Sequence, residues 1–394
     1  MLSGDWSSDV CSSDLDRATQ EAAQQEMAAL LLRHPDDLRQ ARLWFSMALL
    51  ADRRSESAAS ERLARQSFEL AERCGAARWA AMAQGQLAWL QLAHQAYDGA
   101  TSHLAIGLPW AARIEGEQQR MEVEAQLLTL SGMVLVMTDQ VNRARETLTA
   151  VLSRGEALGK QRLQLGAMEN LAVLESDLGR WPEAVAWAER GHQLALSIGA
   201  RAMVTGALMN LAIAAEAQGD VATALRLDGE ALQVNREIGD RRLEAVSLRR
   251  LGKMHLDGGD AGQASQHFAQ AQALHQALDD VLEASALEAS AALCALRQGQ
   301  ADAALAAVNT QLGRLQGDLA QLRAAETIEL RWLCAQVLDA LGDDRVDTLL
   351  AQLSSDLRAR ALALGGQADC ERLIQSRPLY RDIEAAHARR ARPA

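Results

Sequence analysis

Asn170, Asn210 and Arg250 stand 40 residues apart, each immediately before a leucine (Leu171, Leu211, Leu251). An asparagine amide both donates and accepts hydrogen bonds, so a repeated asparagine can pair with the backbone of an extended peptide whatever its side chains. Arg250 would add a planar donor fork suited to a carboxylate. The column is interrupted on both sides, by Leu130 and Ser290. The plainer alternative is that the two asparagines hydrogen-bond neighbouring helix ends.

Other chemistry is thinly represented. His255, His267 and His275 fall close together, but no HxxxH or HExxH spacing occurs, so solvated or packing histidines are expected rather than metal ligands. Glu115, Glu117, Glu122 and Glu124 form an acidic run beside Arg113 and Arg120, the pattern of a solvated helix face. No GxxxxGK[ST] is present, and no GxGxxG follows a strand, which argues against a nucleotide site. No nucleophile motif supports a Ser–His–Asp arrangement. Cys11, Cys74, Cys294, Cys334 and Cys370 include no CxxC pair; a reducing compartment without disulfides is the natural expectation. Trp181 and Trp187 read either as exposed partner anchors or as packing between repeats. Trp187 shares its slot with Leu227, which favours packing. These residues predict no catalytic group, no metal and no cofactor, hence a binding protein rather than an enzyme.

The elements that must position such residues are helical. Apolar residues make up 49% of the 394 positions but aromatics only 3%, and there are five prolines. Small, strong helix formers suit closely stacked helices, whereas strands would need more β-branched and aromatic residues. The net charge of −12 argues against nucleic acid, whose phosphates need clustered cations. The one basic cluster, Arg389, Arg390 and Arg392, reads as a solvated C-terminal end. No run of about 18 apolar residues exists to span a membrane, and a cytoplasmic location is expected.

Self-similarity organises the chain. Gly179, Gly219, Gly259 and Gly299 recur every 40 residues, with Asp139 in the same slot one repeat earlier. Five residues after each comes Ala144, Ala184, Ala224, Ala264 or Ala304. A second turn repeats at Gly159, Gly199 and Gly239, with Leu278–Asp279 in register. Each unit is predicted to be a helix (Leu163–Leu178 for one), a glycine turn, and a second helix (Pro182–Ile198). Glycine can take the left-handed conformation that ends a helix, and Pro182 suits a first turn. Small residues at Ala172, Ala212 and Gly252 would let neighbouring helices approach, with Phe268 filling the wider gap between Ala264 and Ala271. Outer turns are expected near Arg53, His94 and Gly342. A longer loop or helix is expected around Ala105–Gln118, and an orphan helix over Ala22–Arg33.

The stretch Ala207–Asp240 (ALMNLAIAAEAQGDVATALRLDGEALQVNREIGD) resembles the tetratricopeptide repeat family in its longer, 40-residue form. The resemblance is fullest over Gln161–Asp280 and looser from Arg53 to about Gly342. It implies an all-α, right-handed superhelical solenoid of about eight antiparallel helix hairpins, with a concave groove lined by the first helix of each pair. Asn170, Asn210 and Arg250 would face that groove, where asparagine and arginine at the matching places hold peptides in family members. The carboxylate-clamp version also wants a lysine one turn earlier, where this chain has Gly166, Gly206 and Val246.

Three segments are expected. Residues 1–15 differ from the rest: Gly4–Leu15 (GDWSSDVCSSDL) looks like a translated sequencing adapter, the alternative being a flexible polar tail. Residues 16–366 form the repeat array. Residues 367–394 form a C-terminal capping helix and basic tail, within which Arg372–His387 resembles the short helix that closes the C-terminal arms of bacterial regulators such as ATPase-coupled transcription activators, cyclases and kinases. The expected function is a protein- or peptide-binding scaffold, the sensing arm of such a signalling regulator whose effector part would lie upstream. A free-standing scaffold or assembly factor is the alternative, and a helical-repeat enzyme a distant third. The sequence leaves the oligomeric state open.

Overall fold

The computed structural model describes residues 36–391 except 55 and 278–280, together with residues 22, 24–27, 29, 31 and 33. The adapter-like segment, the Leu278–Asp279 turn and Arg392 therefore lie outside the described residues. The described residues between 22 and 33 are helical, in line with the expected orphan helix.

Seventeen named helices follow: α1 (Asp37–Arg53), α2 (Ser57–Arg73), α3 (Ala77–Ala93), α4 (Tyr97–Ala112), α5 (Glu117–Met137), α6 (Val141–Ala157), α7 (Gln161–Asp177), α8 (Trp181–Ser197), α9 (Arg201–Ala217), α10 (Val221–Ile238), α11 (Arg241–Asp257), α12 (Ala261–Ala277), α13 (Val281–Arg297), α14 (Ala301–Gln316), α15 (Ile328–Leu341), α16 (Arg345–Ser376) and α17 (Pro378–Arg390). There is no strand among the described residues. α1 to α16 make the eight expected hairpins. The chain divides into two compact units, Met1–Ala167 and Met168–Ala394, the division falling inside α7.

The turns are built as their glycines require. Gly179, Gly219, Gly259 and Gly299 have φ of 64°, 84°, 87° and 81°. After each, the next N–H reaches back five residues to a helical carbonyl, as from Arg180 to Glu175 (2.8 Å) and Asp260 to His255 (2.8 Å). This satisfies carbonyls that a helix end leaves open. Asp139 adopts the same conformation (φ 59°) without being glycine, and its neighbour Gln140 makes the same bond to Leu135 at 2.8 Å.

In the first unit, α1–α2, α3–α4 and α5–α6 pack as pairs, and α2 and α4 also pack on the following helices α3 and α5. Ala81, Ala100 and Ala111 are fully buried and let these helices approach, around Leu104, Val123 and Leu127. A second cluster sets Phe45 against Trp79, ring centroids 5.9 Å apart. The extra length expected around Ala105–Gln118 goes into helix: Pro109 sits within α4, and α5 runs to 21 residues. Glu122 and Glu124 of the acidic run pair with Lys160 (3.0 Å) and Arg154 (3.5 Å).

In the second unit, α9–α10, α11–α12 and α13–α14 pack as pairs, and α8, α10 and α12 also pack on the helices that follow them. Ala212, Ala224, Ala231, Ala264 and Ala271 are fully buried, and Phe268 is 2% exposed. Gly252 makes Phe268 possible, since a Cβ there would stand 2.6 Å from its ring. The C-terminal segment is more broken than the sequence suggested. α16 kinks at Gly366 (φ 65°), and Arg377 is extended before Pro378 opens α17. The stretch Arg372–His387 is thus the end of one helix and the start of another, because proline forces the residue before it out of the helical region.

That break makes a clasp. Trp181 donates its indole N–H to the Ser376 carbonyl at 3.1 Å. Arg372 donates to the Leu178 carbonyl at 3.3 Å, and Arg377 pairs with the Asp177 carboxylate at 3.1 Å. Gly179 leaves the space, since a Cβ there would overlap Ser376 Oγ. Two arginines thus meet the C-terminal end of α7, where open carbonyls and the helix dipole favour cations. Arg390, from the expected basic tail, pairs with Asp347 at 2.7 Å.

Candidate functional site

Asn170, Asn210 and Arg250 lie on α7, α9 and α11. Arg250 turns back to the preceding hairpin: its Nε stands 3.0 and 3.1 Å from the two oxygens of Asp228 on α10, and its Nη2 2.9 Å from Oδ2. It also reaches Glu216 on α9 at 3.4 Å. Asp228 is fully buried, and that burial pushes its carboxyl pKa up against the opposing pull of Arg250. The fork that the sequence assigned to a ligand carboxylate is occupied by a carboxylate of the chain itself.

A shift of one repeat shows how differently the same seam is filled. Forty residues before Asp228, Arg250 and Glu216 stand Ala188, Asn210 and Ser176; forty after stand Phe268, Ser290 and Leu256. One seam is small and neutral, the next ionic, the third largely apolar. Asn210 is 7% exposed, and no described residue hydrogen-bonds its amide. The Ser176 hydroxyl is buried and likewise without a partner. Asn170 is partly exposed and has a partner of its own.

The face on which the first helices of the hairpins meet one another is carried by neighbouring columns. Arg249 on α11 pairs with Glu283 on α13 (3.2 Å) and Glu329 on α15 (2.6 Å). Those two carboxylates, opposed by burial, raise the Arg249 pKa. Lys253 reaches Glu216 on α9 at 2.6 Å and Asp257 at 2.9 Å. Burial disfavours the Lys253 charge, but the two carboxylates outweigh it and its pKa rises. Burial would raise Glu216; Lys253 and Arg250 overcome this and hold it low.

Glu169 on α7 belongs to this face and differs from the rest. Its carboxyl lies against Gly206 on α9, where a Cβ would overlap Oε1. Burial alone pushes its pKa up to about 7, with no cation opposing it. Sequence reasoning missed Glu169, Arg249 and Lys253. The available signal was a helix-interior glycine, Gly206, with a glutamate in the preceding repeat, and an aspartate, Asp228, at a slot that is Ala188 and Phe268 in its neighbours.

The remaining candidates are structural in their contacts. Trp181 is held in the clasp, and Trp187 is partly buried under Arg190, whose guanidinium lies 4.8 Å from its ring centroid. His255 and His267 stack at 5.3 Å, and His275 is 2% exposed. Among the described residues no three potential metal ligands come together. Cys294 and Cys334 are buried and thiol-protonated, their pKa values pushed up to about 11 and about 12 by burial.

Repeated helix–turn–helix hairpins, glycine-terminated and packed through small residues, define a helical-repeat protein. Residues 204–277, spanning α9 to α12, match the family model of the tetratricopeptide repeat, and the fold is that of tetratricopeptide-repeat proteins. No curated protein matches the chain in sequence. Among solved structures, a signal transduction ATPase with a tetratricopeptide repeat sensor from Pyrococcus horikoshii is similar at 13% identity and TM-score 0.53, over 94% of this chain and 56% of that one. The chain thus spans little more than half the length of that protein. A Rap protein complexed with Competence and Sporulation Factor is similar at 13% identity and TM-score 0.56, over 89% of this chain and 99% of that one. The apo quorum sensor NprR from B. thuringiensis is similar at 11% identity and TM-score 0.52, over 89% of this chain and all of that one. At such identities the likeness is one of fold. Among the described residues no helix is long and apolar enough to cross a membrane.

Proposed function

We propose that the chain is a binding module, not an enzyme, that holds a protein or peptide partner on the face formed by α7, α9, α11 and α13. The observation carrying this reading is Asn210, whose side chain is largely buried while its amide holds no hydrogen-bond partner among the described residues and stays open to a ligand. An amide with no internal bond to break can both donate to and accept from a bound backbone. Asn170 and Asn210 contact the ligand directly in this reading. Arg250 contributes through Asp228 and Glu216, holding the ionic seam beside them.

The module serves as the cytoplasmic sensing arm of a larger bacterial signalling regulator. Support comes from fold likeness to proteins described as a sensor of a signal transduction ATPase and as a quorum sensor. The alternative is a free-standing scaffold or assembly factor. Affinity capture with the full chain separates binding from its absence: the unaltered protein retains a partner, and Asn170→Ala with Asn210→Ala and Arg250→Ala loses it. Asn210→Ala alone, which leaves the Arg250–Asp228 pair intact, is expected to weaken retention as well. Unchanged affinity in both would retire the column.

A further inference from the structure

One carboxyl on this face has no counter-charge. Glu216, Asp228, Glu283 and Glu329 each hold an arginine or a lysine. Glu169 holds none among the described residues. Glu169 is half-buried, and withdrawing a carboxylate even partly from water without a partner is unfavourable. A chain that pairs its other carboxylates here and leaves this one open therefore calls for an explanation.

Gly206 supplies part of it. This glycine is inside α9, not at a turn, and an alanine there would favour the helix by roughly 0.5–1 kcal/mol. Its missing side chain is the space that the Glu169 carboxyl occupies. Asn210 stands four residues on, on the same side of α9, more than nine-tenths buried and without a hydrogen-bond partner. A carboxyl from α7 that only accepts when ionised thus lies against the turn of α9 that also carries the Asn210 amide carbonyl, and neither group has a hydrogen-bond partner among the described residues.

We propose that Glu169, Gly206 and Asn210 form a receptor for a single cationic group of the ligand, a guanidinium or an ammonium. The carboxylate receives the charge, the Asn210 carbonyl takes a second N–H, and Gly206 keeps the recess open. The shared chemistry has two sources, an arginine or lysine side chain of a peptide and a free small amine. That the cation arrives on a peptide rests on the function proposed above; the receptor itself does not.

The test uses the full chain, as unaltered protein, Glu169→Gln and Gly206→Ala. Two probes are applied: a fluorescent pentapeptide library carrying arginine, lysine, citrulline or glutamate at each position in turn, and free agmatine. Agmatine binding is followed through the carboxyl carbon resonance of Glu169. The unaltered protein should prefer arginine or lysine over citrulline by about tenfold or more, the scale of one charge-assisted hydrogen bond. Glu169→Gln should abolish the preference while far-ultraviolet circular dichroism stays unchanged. Gly206→Ala keeps the charge but displaces it, and being helix-favouring it keeps the fold; it should reduce the preference too. If agmatine shifts the Glu169 resonance and no pentapeptide binds, the receptor stands and the peptide reading falls. If the preference survives Glu169→Gln, or neither cationic probe binds the unaltered protein, the proposal is overturned.

Discussion

Glu169→Gln offers a thermodynamic prediction independent of any ligand. The Glu169 pKa is raised from 4.5 to about 7 by burial. Between those values the folded chain keeps a proton that the unfolded chain has released, so folding stability falls as pH rises through that window. It is fully present below about pH 4.5 and lost by just above pH 7. At 1.36 kcal/mol per pKa unit, the ionised carboxylate would cost the fold at most about 3 kcal/mol, and less because the half-buried side chain keeps some contact with water. Glutamine has nearly the same shape and no charge, so the variant escapes the cost. Urea denaturation of both proteins at intervals from pH 4.5 to 8.5 measures the difference. The variant should match the parent at pH 4.5 and exceed it by about 1–3 kcal/mol at pH 8. A difference that stays constant across the range would refute the reasoning, because it would mean that Glu169 ionises normally in the fold. Saturating agmatine should shrink the difference at pH 8.

Further outcomes are expected. Arg250→Ala strands the buried Asp228 carboxylate and should destabilise by about 3–5 kcal/mol; combining Arg250→Asn with Asp228→Ala, which copies the Asn210 and Ala188 seam, should recover most of it in urea denaturation. Gly199→Ala meets nothing within 4 Å and should lose only the roughly 1–2 kcal/mol cost of a left-handed residue, whereas Gly179→Ala should lose more and expose the indole of Trp181, read by fluorescence. At pH 8, Cys74 should react with iodoacetamide in the native protein while Cys294 and Cys334, buried with pKa values near 11 and 12, should react only after unfolding, as mass spectrometry will show.

The array was readable because its period is written in backbone requirements. Left-handed glycines at Gly179, Gly219, Gly259 and Gly299 fix where helices end, and the alanines at Ala184, Ala224 and Ala264 fix where they touch. Even Asp139 kept its slot, since its turn makes the same carbonyl bond as the glycines. The site was less readable because its logic runs between helices. Arg250 had a visible column of its own, but its partner Asp228 sits 22 residues upstream on another helix. Reading that column alone assigned the guanidinium to a ligand; comparing it with the column at Ala188, Asp228 and Phe268 would have exposed the pairing. Glu169 was hidden for the same reason, since its meaning depends on the absent side chain at Gly206. The clasp was hidden by distance, because residues 372–377 meet residues 177–181 without any shared pattern.

The clasp alters how the second unit can come apart. In an open stack of repeats each unit leans only on its neighbours, so the last hairpin frays first and unwinding proceeds inward. Here residues 372–377 are tied to residues 177–181, and the terminal helices cannot peel away without releasing the first turn of the same unit. The unit therefore has the connectivity of a hoop rather than a ladder. Closing that hoop fixes two segments nearly 200 residues apart in sequence, which places the clasp late in folding, since such long loops are entropically slow to close. Amide exchange should accordingly show α17 and the turn at Gly179 opening together, with the hairpins between them protected until both have let go.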